Sequence, residues 1–298
     1  MADTKISDLA EGTVLSDADE FVFVDKSDTS MSAAGTDKRT LWSTIKAAII
    51  AFLGTSAVVS AKAWRGQIHG LTLSNNTTDA TNDIDIAAGQ AWDNTNDVLL
   101  DLTSVYVKRL DANWAVGTNQ GGLDTGSKTN STWYHVWIIR RSDTGVVDVL
   151  LSASATSPTM PSNYDGKRRI GTIYNNSSGV ISPFTQTEDE FFLTTAVQNT
   201  STPSVGAANL TMRTPLGIRT RAIVYLYVAA TTTAKSLSAY SIGGELHEVR
   251  GPVGDFDSRT ITLRTNTSSQ IGYFTSSASD ITISIVTYGW YDSRGRYS

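Results

Sequence analysis

From Trp64 onward, turn signals recur at intervals of about ten residues, and no other feature of the chain constrains its fold as strongly. Between those turns lie short runs with the two-residue period of pleated strands: Ile84-Asp-Ile86, Asp97 to Leu102 and Val105-Tyr-Val107. The run Thr132-Trp-Tyr-His-Val-Trp-Ile-Ile-Arg140 is the most informative. Trp133, His135, Trp137 and Ile139 fall on one face, and Tyr134, Val136, Ile138 and Arg140 on the other. Both faces are largely apolar, which predicts a strand covered on both sides. Ser142-Asp-Thr-Gly145 then makes a turn, and Val146 to Ser152 runs back as a hairpin. A second hairpin is expected from Arg168 to Tyr174, a turn at Asn175 to Gly179, and Val180 to Phe184. Beyond a loop near Val197 to Ala208, five more strand-like runs follow: 218–229, 245–249, 259–263, 270–274 and 280–288.

Composition agrees with this reading. Ser and Thr make up 74 of the 298 residues, whereas Glu numbers six and Lys nine. Glu and Lys favour helices, while Thr, Val, Ile, Tyr and Trp suit pleated surfaces. The expected class is mainly β.

The first 63 residues differ from the rest. Glu20-Phe-Val-Phe-Val-Asp25 reads as one strand, and a polar loop follows through Gly35. Leu41, Ile45, Ala48, Ile49 and Phe52 then form one helical stripe, which predicts a helix over about 40–53 with Gly54 at its C-cap. A helix this short with so wide an apolar face does not stand alone in water. Its stripe, Leu41, Ile45, Ile49 and Phe52, must therefore be covered by another part of the chain, by symmetry mates at a trimer interface, or by a docking partner on the virion. Residues 55–63 are a small, polar linker. The expected organisation is an N-terminal segment (1–63), a central β domain (64–198) and a C-terminal β domain (199–298), both antiparallel and sandwich- or barrel-like.

Several kinds of chemistry find no support. The net charge is −5 with both signs interspersed, which gives no electrostatic footprint for nucleic acid. There is no cysteine, hence no disulfide framework or thiolate. The N-terminus lacks the basic start and apolar run of a signal peptide, and the longest apolar run, Ala47 to Leu53, is about a third of a membrane span. His69, His135 and His247 show no metal-ligand spacing, and no G-x-S-x-G elbow occurs. Gly121 to Thr129 looks like a phosphate loop, but its lysine, Lys128, comes one residue late and leads into a strand. Glu188-Asp189-Glu190 is the only dense acidic run, and it reads as a solvated strand entrance. No cofactor, metal or catalytic residue is expected. What remains is surface recognition. Trp64, Trp92, Trp114 and Tyr164 lie near loops and are candidate receptor-binding aromatics, while Trp133 and Trp137 are core candidates.

Long runs carry a resemblance. Asn82 to Gly89, Lys108 to Gly126, Trp133 to Ile139, Asp143 to Val149, Ser157 to Tyr164 and Lys167-Arg-Arg-Ile-Gly171 resemble, in order, a recurrent region of tailed-bacteriophage fibre and tail-tip proteins. Gly289-Trp-Tyr-Asp-Ser-Arg-Gly-Arg296 is similar to the close of such proteins. The stretches TKISDLAEGTVLSDADEFVFVDK and TLWSTI look like the virion-attachment segment that opens many of them. The resemblance covers residues 70–195 strongly and the last third more weakly. It implies a homotrimeric virion protein, made in the host cytoplasm. One end would bind other phage tail or capsid proteins, and the other a host glycan or surface protein. It implies no catalytic residues. A capsid-attached head fibre or decoration protein and a polysaccharide depolymerase are the alternatives.

Overall fold

The computed structural model describes residues 20–25, 27, 30, 36–49, 51 and 66–296. The chain divides into two compact units, residues 1–64 and 65–298. It is mainly β with one short helix among the described residues, and its antiparallel sheets include a nearly closed, barrel-like one.

In the first unit β1 (Glu20–Asp25) pairs antiparallel with β2 (Thr36–Leu41), Glu20 lying opposite Leu41. The helix α1 occupies residues 42–49 and 51 among those described. Its start is later than the expected residue 40 because the β1–β2 ladder claims Thr40 and Leu41. Leu41 is thus the last residue of a strand and not the first of the helical stripe. Ile45 is half-buried, and Ile49 and Leu41 are exposed (45% and 42%). Phe52, the Gly54 cap and the 55–63 linker lie outside the described residues.

The second unit opens with β3 (Ile68–Gly70), β4 (Leu73–Asn75), β5 (Asp83–Ile86), β6 (Gly89–Trp92) and β7 (Leu99–Leu102). It continues through β8 (Tyr106–Asn113), β9 (Gln120–Leu123), β10 (Thr132–Arg140), β11 (Val147–Ser152) and β12 (Gly166–Asn175). These strands make a three-stranded sheet, β3-β6-β7, and a seven-stranded one, β12-β10-β11-β9-β8-β5-β4. Strand β9 pairs parallel with both β8 and β11, where an antiparallel sheet was expected. The departure is local; the remaining pairings of this sheet are antiparallel.

Strand β10 is buried from Trp133 to Ile139, as its two apolar faces require. Val136 and Ile138 enter the main core cluster with Leu73, Ile84, Leu110 and Leu151, while Trp137 and Ile139 enter a smaller one with Leu150 and Tyr164. The hairpin to β11 forms, with Gly145 at φ +75° in its turn. A one-residue bulge on β12 skips Ile170, so that Val136 faces Gly171 and Trp137 faces Arg169. Such a bulge re-aims the side chains that follow it, and both Arg168 and Arg169 are buried. The expected second hairpin shrinks to an isolated bridge between Asn175 and Ile181.

The remaining strands are β13 (Phe184–Thr187), β14 (Glu190–Thr200), β15 (Ala208–Thr211), β16 (Arg221–Ala230), β17 (Lys235–Tyr240), β18 (Leu246–Gly251), β19 (Asp255–Arg264), β20 (Gln270–Thr275) and β21 (Ile281–Tyr291). They form sheets β13-β14-β21-β16-β19 and β15-β20-β17-β18. One core unites the two, with Val224, Leu226, Leu263 and Ile285 from the first and Leu237, Val249 and Ile271 from the second. The boundary expected at residue 198 falls inside β14, which pairs with β21 on both sides of it.

The C-terminal run locks into the strands that precede it. The Trp290 ring stacks on Phe191 (5.3 Å, 4°) and meets Trp133 edge-on (5.3 Å, 90°). Asp292 takes both guanidinium nitrogens of Arg169 at 2.6 and 2.5 Å. Arg294 donates to the carbonyls of Ile170 (2.8 Å) and Leu71 (2.6 Å), and Arg296 pairs with Asp189. Gly289 permits the approach, since a Cβ there would lie 2.1 Å from the Phe191 carbonyl oxygen.

Candidate functional site

The loop joining β8 to β9 carries Trp114 and is fixed from beneath by a buried ion pair. Lys108 Nζ lies 2.8 Å from Asp148 Oδ1, and both side chains are fully buried. A charge removed from water must be paired and hydrogen-bonded, and here the remaining bonds go to the loop backbone. Lys108 Nζ donates to the Ala115 carbonyl at 2.7 Å, and Asp148 Oδ2 accepts from Gly117 N at 2.7 Å. Burial lowers the pKa of Lys108, and the Asp148 charge opposes that shift. The ammonium also sits 5.4 Å from the Trp114 ring centroid. The indole N–H donates to the Val149 carbonyl at 3.1 Å, and the Trp114 amide to Leu123 O at 2.8 Å. Tyr164 meets the indole edge-on, with centroids 5.2 Å apart and planes at 76°. Burial raises the pKa of its phenol, with a further push from the Asp148 charge. A half-exposed indole is thereby held in one orientation.

Beside it opens a cleft of about 380 Å³ lined by Asn113, Trp114, Asp124, Thr125, Thr159 and Met160, among others. Asp124 is oriented by two backbone amides, Thr125 N (2.8 Å to Oδ1) and Thr159 N (2.9 Å to Oδ2). An ionised carboxylate has about four acceptor sites, so Asp124 retains capacity for a ligand hydroxyl. A flat apolar ring beside a fixed carboxylate and an amide side chain can bind the C–H face and hydroxyls of a sugar.

Of the four receptor-binding candidates, the structure brings Trp114 and Tyr164 together. Trp92 ends β6 elsewhere, its carbonyl accepting from Arg168 Nε at 2.6 Å, and Trp64 lies outside the described residues. Trp133 and Trp137 are core residues. Asp124, Lys108 and Asp148 were not singled out in the sequence. The polar neighbours of Trp114 come from three separate runs, and nothing in their spacing announces that they meet.

The side chains that looked chemical are structural. His135 is 1% exposed, with Nδ1 3.3 Å from Thr172 Oγ1. Burial, and then the Arg169 charge, push its pKa down to about 4, so the ring is neutral at pH 7. Lys128 Nζ clamps carbonyls of Thr81 and Gly179 and the side chain of Asn82. The acidic run forms the turn between β13 and β14, and Asp189 within it is engaged by Arg296. Among the described residues, no group of three or more His, Asp or Glu could hold a metal ion, and no helix is long and apolar enough to cross a membrane.

No family model matches the chain, and no curated relative does. Among solved structures it is similar to a Bacillus thuringiensis Cry1Da tryptic core variant, at 10% identity over 74% of this chain and 51% of that one, with a TM-score of 0.23. It is also similar to an exo-beta-1,3-galactanase from Phanerochaete chrysosporium crystallised with galactose. There the identity is 12% over 74% of this chain and 69% of that one, with a TM-score of 0.20. The chain thus spans about half the length of the toxin core. Both TM-scores lie below 0.5, so neither likeness bears on fold or activity.

Proposed function

We infer that the protein is a structural virion appendage of a tailed bacteriophage, a tail fibre, whose N-terminal segment attaches it to the particle and whose β unit binds a glycan of the host surface. The cleft between Trp114 and Asp124 carries this reading. Its parts come from the very runs that resemble phage fibre proteins. Lys108 to Gly126 supplies Trp114, Asp124 and the buried lysine; Asp143 to Val149 supplies Asp148; Ser157 to Tyr164 supplies Thr159, Met160 and Tyr164. The β unit is read as two antiparallel, sandwich- or barrel-like domains working as a homotrimer. The exposed apolar residues Leu41 and Ile49 support an interface with sister chains or a virion protein. Three weak sites per trimer, repeated around a particle, raise avidity by ~10² or more without any new contact.

A head fibre or capsid decoration would work by the same mechanism, and label position on intact particles separates the two. A glycoside hydrolase needs a pair of carboxylates flanking the bond, whereas Asp124 is the one carboxylate in the lining of this cleft. The test is binding of purified full-length protein to host surface polysaccharide. Trp114→Ala is expected to weaken it by at least ~10-fold, since aromatic anchors dominate such interfaces. Undiminished binding by Trp114→Ala would remove the site, and sustained release of reducing ends would replace a binder with an enzyme.

A further inference from the structure

We propose a second binding site, specific for the carboxylate of an acidic sugar, in the arginine-lined cleft at one end of sheet β13-β14-β21-β16-β19. It shares no lining residue with the Trp114 cleft and does not depend on the virion reading.

The register creates the site. Arg221 of β16 lies directly opposite Arg264 of β19 on one side and Tyr291 of β21 on the other. Arg219 precedes them by two residues, and all three arginines line a cleft of about 460 Å³ together with Asp189, Thr220, Tyr291, Asp292 and Ser293. Like charges directly opposed across a ladder destabilise it unless something sits between them. The acids of the cleft are engaged elsewhere. Asp292 gives both oxygens to Arg169, and Asp189 Oδ2 is taken by Arg296. Glu190, which pairs with Tyr291 on the far side, is hydrogen-bonded by the Tyr291 hydroxyl. Three exposed guanidinium groups therefore face one opening with no carboxylate of the cleft left to neutralise them.

A second observation points to the rest of the ligand. Tyr291 and Ser293 line the same cleft beside the arginines and are both half-buried. A ring face and a hydroxyl beside cationic groups suit a ligand that is an anion at one end and a sugar at the other. A planar carboxylate matches the fork of a guanidinium in two parallel bonds, and the half-buried Ser293 lines the cleft beside them as a partner for a sugar hydroxyl. The volume lies within the ~300–1,000 Å³ of small-molecule sites. A hexuronic acid, free or at a chain end, has this chemistry.

The experiment titrates the full-length protein with glucuronate, with glucose and with inorganic phosphate, followed by calorimetry at low and high salt. Glucuronate is expected to saturate at ~1–10 mM, at least ~10-fold more tightly than glucose, and to weaken as salt rises. Arg264→Gln should lose at least ~10-fold in glucuronate affinity. Its melting temperature without ligand should be unchanged or higher, because a like-charge pair is gone. Arg219→Gln, on an exposed residue, gives the same reading if the first variant fails to fold. The proposal is overturned if glucuronate does not saturate or glucose binds equally well. It also fails if phosphate outcompetes glucuronate, which would make this a bare-anion site, or if the folded arginine variants bind as the parent does.

Discussion

In the two sheets built from β3 to β12, Lys108, Asp148, Arg168 and Arg169 are all at most 4% exposed; in the two built from β13 to β21, the core cluster holds Val224, Leu226, Leu237, Val249, Ile271 and Ile285, and the buried polar groups are mostly hydroxyls. Among the described residues, the only buried ionic groups in the later stretch, Asp292 and Arg294, belong to the C-terminal run that docks back on Arg169 and Ile170. The difference shows what each half needs to hold still. In the first, buried charges grip loop backbone: Lys108 holds Ala115 O, Asp148 holds Gly117 N, and Arg168 holds the carbonyls of Trp92 and Asp93. In the second, hydroxyl pairs such as Thr220 with Thr265 link neighbouring strands that apolar packing already fixes. Pre-organised loops bind ligands at lower entropic cost, and the half that carries the Trp114 cleft is the one with charge-anchored loops.

The largest expected effect comes from stranding a charge in the first half. Arg169→Met leaves the Asp292 carboxylate buried without its counter-charge, with only the Arg294 amide still donating to Oδ1, and the loss should be ~3–5 kcal/mol by urea unfolding. Converting the pair, Arg169→Met with Asp292→Leu, should recover most of that, because the cost lies in the unpaired ion and not in a missing attraction. If the double variant is no more stable than the single one, the charges do more than satisfy each other, and the contrast between halves must be redrawn.

The next effect is a pH dependence confined to the first half. His135 has a folded pKa of about 4 against an ordinary 6.5, so between these values the unfolded chain binds a proton that the folded one refuses. Its contribution is fully present above pH 6.5 and is lost as pH falls toward 4, by about 3 kcal/mol in all. Asp292, whose pKa is lowered from 3.8 against the penalty of burial, adds its loss only below that window. Denaturation measured at pH 7, 5.5 and 4 should show the decline, and His135→Gln should flatten it. An equal slope in the variant would assign the proton uptake to another group.

These contrasts were only partly legible in the sequence. The strand 132–140 announced itself because a run covered on both faces is apolar throughout, and the Gly145 turn because its last position sits at φ +75°, which glycine adopts without strain. Strand β2 went unseen, since Thr36-Asp-Lys-Arg-Thr-Leu41 has no apolar alternation and its partner β1 supplies the ladder. The boundary placed at residue 198 rested on loop composition at 197–208, while the pairing of β14 with β21 depends on residues about 90 positions apart, a separation that local pattern does not encode. Within the cleft, Trp114 and Tyr164 stood out as aromatics near loops. Asp124 and the Lys108–Asp148 pair did not, because a buried lysine and a solvated one are the same letter until the fold decides.

The smallest effect tests the second half. Thr265 Oγ1 accepts from Thr220 N at 3.2 Å and lies 3.0 Å from Thr220 Oγ1, in a site where both residues are buried. Thr265→Val keeps the shape and removes the hydroxyl, leaving a buried amide and a buried hydroxyl without that partner. Such a loss costs about 1–2 kcal/mol. Adding Thr220→Val should cost little more, since one of the two stranded groups disappears with it. Neither threonine titrates, so the deficit measured by urea unfolding should be the same at pH 7 and pH 4. A deficit of ~3 kcal/mol or more, or one that grows on acidification, would show that the second half also leans on a polar network coupled to charge.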